Sequence, residues 1–339
     1  MSLTSTVLNS IGRSRISTPE PVGFDLRLPP LRLEGGGIVG GSGTAHVLRG
    51  VVWGPVSDLP AISDRATIVG EGRCLGAERG PCASSAENGG AAAPGGAVRS
   101  LRDDVPTVLC IHALTGDARV GGTGGWWEPL VGPGRALDPS EARILCFNNL
   151  GSCYGSSGPR DAGFPSWASQ EQSTFVPAAA LSGSRVDPRR WPAALTSWDL
   201  ARSILLGLDA LGIHRVALAT GGSLGGMIAL CLAALDPPRF ARIAPIAASE
   251  SASAWLIGFN HVARQALLLE PDFPECDGRG LEIARQLAIL TYRSEDGLHR
   301  RQGRAQGGDG ADWSPARPYR VQTYLEHQGR KLRRRFDGR

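Results

Sequence analysis

Short, unbroken apolar runs alternate with helical-period segments along the middle of this chain. Thr107-Val-Leu-Cys-Ile-His112 and Arg143-Ile-Leu-Cys-Phe-Asn148 are of strand length and show no polar alternation, the pattern of strands buried on both faces. Arg215-Val-Ala-Leu-Ala-Thr220 and Arg242-Ile-Ala-Pro-Ile-Ala247 repeat the pattern further on. Between residues 199 and 211 the period changes: Leu200, Ile204, Leu208 and Leu211 fall on one helical face, and Gly212 can end the helix. Met227–Leu235 reads as a second helix. Strands and helices alternating in this way predict a parallel sheet covered on both faces, with chemistry at the carboxyl ends of its strands. Upstream, Leu31–Glu34 and His46–Trp53 look strand-like around a Gly35–Gly37 turn, while residues 1–30 read as irregular. Beyond Ser249 the strand pattern stops, and Ala254–Glu270 and Gly280–Thr291 read as helices separated by Pro271.

Two segments break the regular pattern. Residues 57–104 include Ala83-Ser-Ser-Ala-Glu-Asn-Gly-Gly-Ala-Ala-Ala-Pro-Gly-Gly96, which cannot bury much apolar surface and reads as a disordered insertion. Residues 160–195 read as a loose loop.

The stretch Thr220-Gly-Gly-Ser-Leu-Gly-Gly226 lies between a buried strand and a helix. Read as Gly-x-Ser-x-Gly, it offers Ser223 as a nucleophile on a strand–turn–helix elbow, with Gly221 and Gly225 leaving room for a tight turn. The helix that follows aims its amides at the serine oxygen, which favours developing negative charge. The oxyanion hole of such a site takes the amide of the next residue, Leu224, and a second amide from the loop after an earlier strand. That loop is His112-Ala-Leu-Thr-Gly116, and Leu114 is the candidate donor. The plain alternatives are a Gly-rich turn without chemistry and an ordinary strand exit.

Composition narrows the classes. The chain has 339 residues, 42% of them apolar, and a formal charge of +4, so neither a polyanion-binding nor an acidic class is favoured overall. The basic cluster Arg330–Arg335 lacks interleaved aromatics and reads as a solvated end, with no nucleic-acid partner expected. Seven cysteines without a Cys-x-x-Cys pair indicate neither a disulfide framework nor a metal site. The start has no signal-peptide form, and no apolar stretch is long enough to span a bilayer. A cytoplasmic protein with no membrane partner is the expectation.

Several motifs occur in a characteristic order. They are His112-Ala-Leu-Thr-Gly-Asp117, Gly125-Trp-Trp-Glu-Pro-Leu-Val-Gly-Pro-Gly134, Asn149-Leu-Gly-Ser-Cys-Tyr-Gly-Ser-Ser-Gly-Pro159 and Gly221-Gly-Ser-Leu-Gly-Gly-Met227. Gly280–Leu287, Leu290–Ser294 and Tyr319–Gly329, continuing to Arg335-Phe-Asp337, extend the series. Together they resemble the homoserine O-acetyltransferase family of α/β-hydrolase-fold acyltransferases. The resemblance implies an α/β fold with a mostly parallel sheet over residues 26–250, an irregular segment 1–25, and an inserted helical lid over residues 251–339.

It also implies ping-pong acyl transfer in methionine biosynthesis. Ser223 takes an acetyl group from acetyl-CoA, the Leu224 and Leu114 amides bind the oxyanion, and homoserine then accepts the acetyl group. Arg293 matches a family arginine that holds the substrate carboxylate, a task suited to a planar guanidinium. No tightly bound cofactor is implied, and dimerisation through the lid helices is. The Trp126-Trp127 loop and Asn149–Pro159 would shape the pocket, with Cys153 structural.

The family's catalytic acid and its Gly-His-Asp base do not occur in this sequence. After Ser223 the histidines are His261, His299 and His327, all in the lid segment. The acid, the base and the C-terminal sheet strands are expected beyond Arg339. Serine as acceptor, succinyl-CoA as donor and a catalytically incompetent fragment are the competing expectations.

Overall fold

The computed structural model describes residues 21–41, 44–54, 66–69, 105–166, 194–270, 273, 278–306 and 315–338. Most of the stretches read as an insertion and a loose loop, residues 57–65, 70–104 and 167–193, lie outside this set.

The two unbroken apolar runs form β6 (Thr107–Ile111) and β7 (Arg143–Phe147), buried at every position. Alternate residues serve opposite faces. Leu109, Ile111, Leu145 and Phe147 join a core cluster with Leu200, Ile204 and Leu208 of α1 (Ser197–Ala210) and Ile228 and Leu232 of α2 (Leu224–Leu235). Val108, Cys110, Ile144 and Cys146 face a second cluster with Val51, Trp53, Val120 and Val131, closed by Trp126 and Trp127. The cover on that second face runs through 118–137, a segment rich in Gly and Pro that turns rather than forming a helix.

Seven strands make the main sheet among the described residues, in the order β5-β1-β4-β7-β6-β8-β9. They include β1 (Val22–Leu28), β4 (His46–Trp53), β5 (Ala66–Val69), β8 (Leu218–Gly222) and β9 (Ile243–Ile246). β6 pairs in parallel with β7 and β8, and β8 with β9. β1, β4 and β5 enter antiparallel, with Leu26 opposite Leu48. A small ribbon of β2 (Leu31–Arg32) and β3 (Ile38–Val39) stands apart.

Two strands of the main sheet differ from the sequence reading, and β3 of the small ribbon was not read from it either. Val22–Leu28 reads as irregular but forms β1, burying Phe24, Leu26 and Leu28 at alternate positions. Pairing with β4 rather than strong patterning fixes it, since tertiary context decides marginal strands. β5 lies within the stretch read as an insertion and pairs with β1.

α1 begins at Thr196, whose side chain accepts from the Asp199 amide while the Asp199 carboxylate accepts from the Thr196 amide, a reciprocal capping box. The helical half comprises α3 (Ala254–Leu268), α4 (Gly278–Thr291), α5 (Glu295–Gln302) and α6 (Arg320–Arg333). α4 packs between α3 and α6. The approach is close at both seams. A Cβ on Gly280 would strike the Ala266 carbonyl, and one on Gly329 would sit 2.9 Å from the Glu282 oxygen. Arg333 donates to Glu282 at 3.1 Å across the second seam. No helix among the described residues is long and apolar enough to cross a membrane.

Candidate active site

Ser223 stands between the end of β8 and the start of α2, with φ 54° and ψ −120°. Among the described residues only Ser223 and Ala247 combine a side chain with positive φ. Holding a non-glycine residue there costs on the order of 1–3 kcal/mol, so the surroundings must enforce it.

They do so through three strand ends. The Ser223 amide donates to the Ile246 carbonyl of β9 at 2.9 Å. The Ser223 carbonyl accepts from Gly226 at 2.9 Å and Met227 at 3.0 Å, starting α2. The flanking glycines are sterically required. A Cβ on Gly221 would lie 2.5 Å from the Ile111 carbonyl oxygen, and one on Gly225 would collide with the same oxygen. The elbow is therefore wedged against the carboxyl end of β6.

The Ser223 side chain is exposed and makes no capping bond to its own helix. Leu224 opens α2, and its amide has no acceptor among the described residues. The same holds for the Leu114 amide, on the loop that leaves β6. Two uncommitted amides thus lie on the two segments from which oxyanion donors are expected.

The loop from His112 is anchored by the histidine itself, a role the sequence reading missed. His112 is 1% exposed. The Asn149 amide donates to its Nε2 at 3.0 Å, which leaves Nδ1 to carry the proton and donate to the Ala113 carbonyl at 2.7 Å. Burial pushes its pKa below the ordinary imidazole value, with the Ala113 bond and the Asp117 charge opposing. A neutral ring with both nitrogens occupied cannot act as a base. The available signal was a histidine ending an otherwise apolar strand.

Asn149–Pro159 is stitched to both this loop and β4. Asn148 Oδ1 accepts from the Ala118 amide at 2.6 Å, and its Nδ2 donates to the Tyr154 carbonyl at 2.7 Å. The hydroxyls of Ser156 and Ser157 accept from the Arg49 and Val47 amides at 3.0 and 2.8 Å. Cys153 donates to the Arg335 carbonyl at 3.7 Å. Desolvation raises its thiol pKa.

Arg335, from the cluster read as a solvated end, reaches the same place. One guanidinium nitrogen donates to the Thr115 carbonyl at 2.6 Å and to the Tyr154 hydroxyl at 2.9 Å. The end of α6 is thereby fastened to the loop that carries Leu114.

Arg293 follows α4 on an exposed turn, and its guanidinium makes no hydrogen bond or ion pair among the described residues. Trp126 and Trp127 lie tilted against each other, 4.7 Å between ring centroids, and pack on the second core cluster. All six histidines are described, and none bonds to Ser223 or to a carboxylate. His46 is buried between the Pro29 carbonyl and the Ser203 hydroxyl, while His214, His261, His299 and His327 are exposed.

Residues 106–275, about half of the chain, match the alpha/beta hydrolase fold family. The chain belongs to the α/β-hydrolase family. Within it the similarity is to homoserine acyltransferases. A homoserine O-acetyltransferase of Moorella thermoacetica is 37% identical over 244 residues, covering 68% of this chain and 60% of that protein. A homoserine O-succinyltransferase of Bordetella pertussis is 36% identical over 252 residues, covering 68% and 56%. The crystal structure of homoserine O-acetyltransferase from Staphylococcus aureus matches with a TM-score of 0.58 at 25% identity, covering 94% of this chain and 68% of that one. The α/β-hydrolase chain described here spans about 60% of the length of the Moorella relative.

Proposed function

We propose that this chain carries the nucleophile and oxyanion hole of a homoserine O-acyltransferase. The supporting observation is the elbow: an exposed serine at φ 54° at the head of a helix whose first amide is uncommitted. In this reading Ser223 Oγ attacks the thioester carbonyl of acetyl-CoA. The Oγ–C bond forms, the C–S bond breaks, and coenzyme A leaves as the thiol with the serine proton. The Leu224 and Leu114 amides hold the oxygen of the tetrahedral intermediate. The homoserine hydroxyl then attacks the seryl ester and regenerates Ser223, while Arg293 holds the amino-acid carboxylate.

The proton acceptor is not supplied by any of the six histidines as they are placed. Without a base, oxyanion-hole and binding effects alone give about 10³–10⁴ over water in a protease triad. The 339-residue chain is therefore expected to acylate slowly but selectively. That arrangement also supports a second reading, a fragment with no catalysis.

Incubation with acetyl-CoA or succinyl-CoA, followed by peptide mass spectrometry, separates the two. An acyl adduct on Ser223, absent in Ser223→Ala and discharged faster by homoserine than by serine, supports acyl transfer. An unmodified Ser223 with both thioesters leaves only the fragment reading, and faster discharge by serine overturns the acceptor assignment.

A further inference from the structure

The last turns of α6 carry more positive charge than the fold uses. Five of the six residues Arg330–Arg335 are cationic. Arg333 is engaged by Glu282 and Arg335 by Thr115 and Tyr154, while Arg330 meets the exposed Glu326 at 3.4 Å. Lys331 and Arg334 are exposed and have no ion pair among the described residues. Cations near a helix C-terminus complement its dipole, but that effect is confined to the last turn. It does not account for the way these side chains are disposed. His327, Lys331 and Arg334 recur at helical spacing, and with Arg330 they line a cavity of about 290 Å³. The opposite face of α6, with Gly329 and Leu332 buried, is the one packed on α4.

Position adds to charge. Arg334, in the cavity wall, precedes the residue that grips the Thr115 carbonyl, on the loop carrying Leu114. That loop leaves β6, whose terminal Ile111 carbonyl is the surface against which the elbow glycines pack. The cavity wall is thus one residue along the chain from the guanidinium that meets the oxyanion loop. Among the described residues the lining holds no Phe, Tyr or Trp on which a nucleic-acid base could stack, which favours a ligand bound through its charge.

We propose that His327, Arg330, Lys331 and Arg334 form the cradle for the phosphate groups of the acyl-coenzyme A donor, with the pantetheine arm running past the Thr115–Arg335 contact to Ser223. The proposal rests on the acyl-transfer reading above. Guanidinium and ammonium groups suit it, because each phosphate offers several acceptor oxygens to charge-assisted donors.

Calorimetric titration of the 339-residue chain with coenzyme A, with pantetheine and with a short DNA duplex tests it, using the parent and a Lys331→Glu/Arg334→Glu variant. Both side chains are exposed and make no hydrogen bond or ion pair among the described residues, so circular dichroism of the variant should match the parent. Coenzyme A is expected to bind at least about tenfold more tightly than pantetheine, an advantage that shrinks with added salt and disappears in the variant. Equal affinities in the parent, no coenzyme A binding, an advantage retained by the variant, or tighter binding of the duplex would each overturn it. Acylation of Ser223 by acetyl-pantetheine, which carries no phosphate, reports separately on the acyl-transfer reading. Its failure alongside the expected binding pattern would remove that reading and leave the cradle.

Discussion

Leu208 and Ile228, on the helices that cover the sheet, have no exposed surface, whereas Trp255 and Leu269, in the helical half, are 75% and 82% exposed. The contrast extends through both halves. Around the sheet a continuous core joins β1, β4, β6, β7, α1 and α2. In the helical half burial is confined to the seams between helices, at residues such as Ala266, Leu281, Ile289 and Leu332. The sheet half can hold a strained residue because its packing overdetermines the backbone. The helical half has no such surplus, and it meets the oxyanion loop through the Arg335 guanidinium.

The contrast is most open to challenge in the core. Leu208→Ala should cost about 2–5 kcal/mol in chemical denaturation, because the site is sealed between α1 and the sheet. A loss below 1 kcal/mol, the cost of a surface change, would mean that the sheet half is loosely packed.

His112→Ala comes next. It leaves the buried Asn149 amide without an acceptor, at about 1–3 kcal/mol, and should slow Ser223 acylation by freeing the Leu114 loop. The same residue gives a pH test. Its pKa in the folded state lies below the ordinary value of 6.5, so the unfolded chain binds more protons as the pH drops through that value. Its stabilising contribution is thus complete above pH 6.5 and is lost as the pH falls below it. His46, also lowered by burial, acts in the same direction. Denaturation midpoints should fall below pH 6.5 and fall less steeply in His112→Ala; parallel profiles would exclude His112 as a contributor.

Ser223→Gly should raise stability by about 1 kcal/mol while abolishing acylation, since glycine tolerates the positive φ. Unchanged stability would mean that the elbow stores no strain. Smallest of all, Leu269→Ser should change stability by less than about 0.5 kcal/mol. A larger loss would show that the exposed apolar surface of the helical half is covered in solution.

Much of this architecture was legible in the sequence because its signals are local. The runs 107–112 and 143–148 announce buried strands by composition alone, and Gly221 and Gly225 announce the elbow because bulk at either position meets the Ile111 carbonyl. β1 was not legible, since alternating Phe24, Leu26 and Leu28 become a strand only when β4 lies beside them. Nor was Arg335, whose polar cluster looks like any solvated helix end until its partners 220 and 181 residues away are in place.

By itself the sequence determined the alternation of the central strands and helices, from β6 to β9, and the position of the serine turn. These follow from periodicity, glycine placement and residue identity, which need no long-range contact. The tertiary structure alone decided that Ser223 adopts positive φ, that His112 is a neutral anchor and that the Leu114 and Leu224 amides stay uncommitted. It also decided that α6 reaches the oxyanion loop. Each of these depends on hydrogen-bond partners and burial that exist only once distant segments are packed together.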